Sequence, residues 1–169
     1  MNNILFRNIR ETETDQTAEI ESICFSKEEA CTLEMMQDRM QYAKDMFLVA
    51  EDTTTGKIAG YLTGIATDQE NFSDQFFFQG SLHNPAGKNV MLVGLEVLPE
   101  YRMKGIAKEL MRRYAQRQKE QGRKKMILTC KSHFIKMYEK MGFTDKGISA
   151  SVWGNTHWHE MVYDLTGEE

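Results

Sequence analysis

The segment from Val90 to Gln121 constrains the fold more than any other part of the chain. Val90 to Leu98 is almost entirely apolar, and a strand apolar on both faces belongs at the centre of a sheet. Pro99 ends it. A helix then opens at Gly105 and runs to Gln121, with Ile106, Leu110, Met111 and Tyr114 on one stripe. Arg112, Arg113, Arg117, Lys119 and Glu120 form its solvated side, and Gly122 stops it. The next strand, Lys125 to Cys130, completes a strand-helix-strand unit. Such a unit is a right-handed parallel crossover.

The flanking sequence supplies the remaining layers. Ile4 to Ile9 reads as a first strand, and Asp15 caps a helix through Glu21. Ser26 followed by Glu29 has the spacing of a capping box and predicts a helix to Ala43, with Leu33, Met36 and Met40 on one stripe. Met46 to Ala50 and Lys57 to Ala66 read as a hairpin around Thr53-Thr54-Thr55-Gly56. Gly60 and Gly64 within it point to a bulge or a close backbone approach. Thr67 to Asn89 is irregular and carries Phe72, Phe76, Phe77 and Phe78. A connection of that length is functional or mobile in most compact domains. Ser132 to Met141 reads as a short helix, and two strands follow, the last from His157 to Leu165. The order predicts an α/β fold, a mixed sheet with helices on both faces. A chain of 169 residues fits one domain, residues 1 to 169.

Composition narrows the function. The net charge of -4 gives no basic excess for nucleic-acid binding. No apolar run has the length of a membrane span. Met1-Asn2-Asn3 lacks the pattern of a signal peptide, so a cytoplasmic address is expected. Cys24, Cys31 and Cys130 fit no zinc spacing and read as free thiols. His157 and His159 share a strand face without a completing ligand, so no metal is expected.

The chemistry is concentrated in the turn Arg102-Met103-Lys104-Gly105-Ile106-Ala107. Gly105 and Ala107 leave room for a bulky anion near the backbone. The first N–H groups of a helix have no internal partners, and the dipole there is positive. Arg102 and Lys104 add formal charge. A P-loop needs Gly-Lys-Ser/Thr and a dinucleotide fingerprint needs three glycines; neither is present. The pattern R-x-x-G-x-A after an apolar strand resembles motif A of the GNAT acetyltransferases. Met126 to Cys130 followed by Met137-Tyr138-Glu139-Lys140-Met141-Gly142-Phe143 resembles motif B of that family. Leu82 to Gly87, continuing to Leu95-Glu96-Val97, and the short connection from Cys130 to Tyr138 resemble the serotonin (arylalkylamine) N-acetyltransferase branch. Gly147 to Ser151, Trp158 and Met161 resemble that branch's bacterial relatives.

The resemblance implies a mostly antiparallel twisted sheet with one splayed parallel strand pair, and acetyl-CoA as co-substrate. It implies that Arg102, Met103, Lys104, Gly105, Ile106, Ala107 and Lys108 hold the pyrophosphate, and that the backbones of Leu95 and Val97 pair with the pantetheine arm. Tyr138 takes the general-acid position. The branch's two histidines on the central strand stand here as Met91 and Val93, which accept no proton. Glu28, Glu29 and His83 are the candidate bases, while simple alternation puts Glu96 on the strand face away from Leu95 and Val97. The acceptor site is expected between Phe25 to Met36 and the aromatic loop. The expected acceptor is a small-molecule primary amine, and the expected assembly is a monomer or homodimer with no nucleic-acid or membrane partner. A protein or peptide acetyltransferase and a non-catalytic acetyl-CoA sensor are the alternatives.

Overall fold

The computed structural model describes residues 2–167. Seven strands form one sheet: β1 (Ile4–Asn8), β2 (Leu48–Asp52), β3 (Lys57–Thr67), β4 (Asn89–Val97), β5 (Lys125–Cys130), β6 (Thr144–Ile148) and β7 (His159–Asp164). Their spatial order is β1-β2-β3-β4-β5-β7-β6, and only the β4–β5 pair is parallel. The long helices are α1 (Thr14–Cys24), α2 (Leu33–Ala43) and α4 (Ile106–Glu120), with short helices α3 (Gln75–Phe78) and α5 (Ile135–Lys140). The mixed sheet predicted from element order is therefore present, including its single parallel crossover.

Alternation along β2 shows how the sheet serves two cores. Phe47 and Val49 pack with Ile20 of α1, Met36 of α2, Ile58 and Tyr61. Leu48 and Ala50 pack with Leu110, Met111 and Tyr114 of α4. Helices thus cover opposite faces, as a period of two requires.

Two local readings change. Ser26 does not open a helix; residues 26–29 form a turn, with Glu29 N–H and Ala30 N–H both donating to the Ser26 carbonyl. Thr32 caps α2 instead, its hydroxyl accepting from Met35 N–H at 3.2 Å, and Leu33 is consequently exposed rather than part of the inward stripe. The irregular Thr67–Asn89 stretch contains α3, and its Asn84–Gly87 turn is fixed by Arg123, which donates to the Gly87 and Pro85 carbonyls.

The central strand departs from regularity in two ways that position the site. Thr63 pairs with Gly94 but Gly64 pairs with Leu92, so Val93 is an extra residue, a bulge, in β4. Beyond this end, β4 and β5 separate: their pairing covers only Asn89–Met91 against Lys125–Ile127. The β5-facing edge of β4 from Leu92 to Val97 is left without a strand partner.

Gly60 of β3 lets β4 lie close. A Cβ there would stand 2.5 Å from the Glu96 carbonyl oxygen and 3.2 Å from Val97 Cα. Both obstacles are backbone and cannot rotate away. Gly60→Ala is expected to lower stability by about 1–3 kcal/mol, the usual cost of overpacking, in urea denaturation. An unchanged midpoint at unchanged slope would show that β3 and β4 separate at no cost.

Candidate active site

A cleft of about 680 Å³ occupies the gap between β4 and β5. Leu95, Val97, Arg102, Met103, Gly105, Ile106, Ala107, Lys108 and Tyr138 all line it. The structure therefore brings the sequence-predicted site residues together, with Lys104 in the same turn. A larger concavity of about 1440 Å³ lies between α4 and the β6–β7 pair; of the predicted site residues only Lys108 reaches it. It offers surface lysines and an open sheet face, and lacks the features described next.

The turn after β4 is built to expose amide hydrogens. Met103 and Gly105 both have positive φ, 63° and 82°. Left-handed positions alternating with one of ordinary φ, at Lys104, turn neighbouring N–H groups to one side and create an anion-binding concavity. Gly105 occupies the N-cap position of α4 without any side-chain cap, and Glu109 N–H is the helix amide that closes the first turn, on the Gly105 carbonyl. The preceding amides are orphan donors at the positive end of a 15-residue helix. A residue with a Cβ at Gly105 would be strained at this φ.

Arg102 does something other than supply charge to the turn. Its Nε donates to the Val97 carbonyl at 2.9 Å, and its Nη2 lies 3.5 Å from Cys24 Sγ. The Cys24 thiol also donates to the Val97 carbonyl, at 3.7 Å. Arg102 thus ties the end of β4 to α1. Leu98 N–H donates to the Ala59 carbonyl on the β3 side. Alternation then turns the backbone groups of Leu95 and Val97 toward the open edge. The Val97 carbonyl is already engaged, so the free groups there are the Leu95 N–H and C=O and the Val97 N–H.

Tyr138 on α5 packs edge-on to Phe143 at 5.6 Å. Burial raises its phenol well above the ordinary value, and the nearby Glu96 and Cys130 add to the shift. It therefore remains protonated at any ordinary pH. Cys130 is buried and its thiol is pushed up to about 11 by desolvation, which disfavours a nucleophilic thiolate.

The acceptor side differs in composition from the sequence expectation. Phe25, Cys31 and Met35 of the α1–α2 region do line the cleft. Of the loop aromatics, Phe72 and Phe76 are buried core, and only Phe77 reaches the cleft. Trp153 and Trp158 complete the wall. Their connection between β6 and β7 crosses the cleft as a strap. Ser151 Oγ and Val152 N–H donate to the two Asp74 carboxylate oxygens, and Trp153 Nε1 donates to the Glu29 carbonyl at 3.0 Å. The Trp153 ring packs on Phe77 at 4.9 Å and stacks on Phe78 at 6.4 Å. Trp158 Nε1 donates to the Trp153 carbonyl at 2.8 Å. Neither tryptophan sits in a sequence pattern that marks a strap; the pairing of Asp74 with Ser151 spans 77 residues and has no local signal.

Among the candidate bases, His83 is withdrawn from the cleft. Its Nδ1 accepts from Ala66 N–H at 3.0 Å, and burial lowers its basicity. Glu28 is exposed outside the lining, and Glu29 lines the cleft but is ion-paired with Lys131. Glu96 is 5% exposed and lines the cleft together with Glu21 of α1 and Arg39 of α2. No group of three or more potential ligands forms a metal site among the described residues, and His159 instead meets Asp145 at 3.2 Å.

The sequence profile described as Acetyltransferase (GNAT) family matches residues 8–143. The chain belongs to the GNAT acetyltransferase family. It is an N-acetyltransferase that uses acetyl-CoA as co-substrate. Solved structures share the whole fold at low identity. The loading GNATL domain of CurA from Lyngbya majuscula matches with a TM-score of 0.81 at 15% identity, covering 96% of this chain and 98% of that one. Ard1 from Thermoplasma volcanium matches with a TM-score of 0.74 at 15% identity, covering 98% and 99%. A chain of the NatC complex bound to Gag peptide and CoA matches with a TM-score of 0.76 at 15% identity, covering 97% and 99%. No helix among the described residues of this acetyltransferase is long and apolar enough to cross a membrane.

The thiols of the acetyltransferase give a direct check on the packing. Burial raises Cys31 to about 12 and Cys130 to about 11, while Cys24 is only half-buried. Alkylation of the native protein near neutral pH should label Cys24 first, with Cys31 and Cys130 labelled only on unfolding. Rapid native labelling of Cys130, read by peptide mass spectrometry, would contradict the described site.

Proposed function

We propose that the protein acetylates the primary amine of a small molecule, following the pattern of the arylalkylamine branch. The observation that carries this reading is the strap. A peptide acceptor needs a groove open along its length. Here Trp153 is fastened to Glu29 on one side and, through its neighbours, to Asp74 on the other, which closes the acceptor side over an aromatic pocket. Phe25, Phe77, Trp153 and Trp158 suit an amine with an apolar or aryl body. The free thiols of Cys24, Cys31 and Cys130 suit a reducing compartment such as the cytoplasm.

The residues present fit acetyl-CoA. The orphan amides from Met103 to Lys108, with the Lys104 and Lys108 side chains, form a cradle for a diphosphate. The unpaired edge of β4 at Leu95 and Val97 offers a strand-like partner for an amide-bearing arm. Acetyl-CoA supplies an activated acyl carbon and a thiol leaving group. Leu95 N–H is free to polarise the thioester oxygen. Tyr138 carries the proton that the departing sulfur needs, and its raised pKa keeps that proton available. Arg102 acts by positioning, since its guanidinium fixes the strand end rather than facing the cradle.

Thiol release from acetyl-CoA, measured with a panel of small primary amines and a panel of short peptides, tests the acceptor class. Turnover is expected with apolar or aryl amines; peptides with equal or higher kcat/KM would overturn the reading. Acetyl-CoA binding without turnover on any acceptor would favour a sensor. Tyr138→Phe should lower kcat by about 100-fold while acetyl-CoA affinity, read by calorimetry, stays within about twofold. Full turnover in a chemistry-limited assay would remove Tyr138 from the acid role.

A further inference from the structure

Glu21 and Glu96 are two carboxyl groups buried beside one another at the wall of the cleft, an arrangement that folding alone does not favour. Glu21 is 3% exposed, Glu96 5% and Arg39 only 1%. Bare carboxylates in such a place cost several kcal/mol each unless paired and hydrogen-bonded. The pairing is incomplete. Glu21 Oε1 accepts from Cys31 N–H at 3.3 Å, but Oε2 of Glu21 and Oε2 of Glu96 meet no N–H or cationic donor, and the two carboxyls lie within hydrogen-bonding reach of each other instead. Arg39 does not clamp them: its Nη2 donates to the Phe77 carbonyl at 2.8 Å, while Nε and Nη1 remain unpartnered. A structural salt bridge would leave these atoms joined to each other.

We propose that the Glu21–Glu96 carboxyl pair takes the proton that the acceptor amine sheds, directly or through one water. This rests on the acetyltransfer reading above. Two carboxyls held together cannot both ionise easily, and one proton is shared between them. Burial is the largest cause of the upward shift at both residues; Glu21 pushes Glu96 further up, while the contact with Glu96 and the charge of Arg39 hold Glu21 down, so Glu96 is the carboxyl that keeps the shared proton. Arg39 supplies one opposing charge, so the singly protonated pair with Arg39 is neutral. The doubly ionised pair is one charge short of neutral and is the proton acceptor.

The chemical balance is complete within the cleft. The amine nitrogen forms a bond to the acyl carbon as the carbon–sulfur bond breaks. The amine proton passes to the pair, and the Tyr138 hydroxyl proton passes to sulfur. Returning the pair's proton through cleft water to the Tyr138 oxygen resets both groups. Glu96 is close enough to Tyr138 to raise its phenol further. The groups facing Glu96 are Glu21 and Cys24 of α1, Cys31 before α2, Arg39 of α2, Tyr61 of β3 and Tyr138 of α5. Cys31 and Tyr61 are themselves raised by burial and stay neutral, which leaves the two carboxyls as the groups that titrate.

Glu96→Gln keeps the shape and removes the titration. With a turned-over amine, kcat/KM is expected to fall about 100-fold or more, the acid limb of its pH profile to disappear, and acetyl-CoA affinity to stay unchanged. Stability gives a second readout that needs no substrate. A carboxyl with a raised pKa binds more protons folded than unfolded, so wild-type stability falls as pH rises from the ordinary value of 4.5 through the raised one. Glu96→Gln should therefore have a Tm equal to or above wild type near about pH 8, with a flatter dependence on pH. Less activity with undiminished stability supports the pair. A lower Tm together with lower activity assigns Glu96 a structural role and overturns the proposal, as does an unchanged pH profile in the variant. Failure of the wild type to acetylate any amine removes the acetyltransfer reading itself and this inference with it.

Discussion

The separation of β4 from β5 is the constraint on which the site depends. Parallel pairing stops after Met91 and Ile127, so a central, mostly apolar strand runs for six residues with one edge unpaired. Buried backbone groups without partners are costly. The edge is tolerable because it borders a cleft, where a ligand or water meets it. The same divergence sets the start of α4 and the body of α5 on either side of one gap. The amide-lined turn, the unpaired edge and the placement of Tyr138 at the gap are three consequences of a single departure from sheet regularity.

Electrostatics in the cleft follows from burial more than from charge pairing. Desolvation is the leading cause of the shifts at Tyr138, Glu96, Cys130 and Cys31. It acts on acids in one direction, toward the protonated form. For the phenol this preserves the proton that the proposed acid role needs. For a carboxyl it keeps the proton bound to higher pH than on an exposed carboxylate. In the proposed reaction, one dry environment thus serves both the proton donor and the proton acceptor.

Much of this was legible in the sequence, and the misses have physical causes. The buried strand, the glycine-opened helix and the Tyr138 segment are encoded locally, in apolar runs and turn residues. The Ser26–Glu29 spacing failed because Thr32, three residues before Met35, made the competing cap. Phe72 and Phe76 were expected at the acceptor wall, but the packing of α3 against the sheet turned them into core. The strap rests on contacts between residues far apart in the chain, and Arg102 is drawn from the anion cradle by Val97 and Cys24. None of these long-range choices leaves a periodic trace.

The Val93 bulge changes the parity of the strand. In a regular strand Met91 and Glu96, an odd number of residues apart, would face opposite layers. Register with β3 shows otherwise: Met91, Gly94 and Glu96 stand across from Ile65, Thr63 and Tyr61, alternate residues of one face. One inserted residue has transferred the beginning of β4 to the face that its end uses. A polar group placed at either position therefore belongs to the same layer. Chemistry lost at one can be regained at the other with no change in topology, a freedom that an unbulged strand would not give.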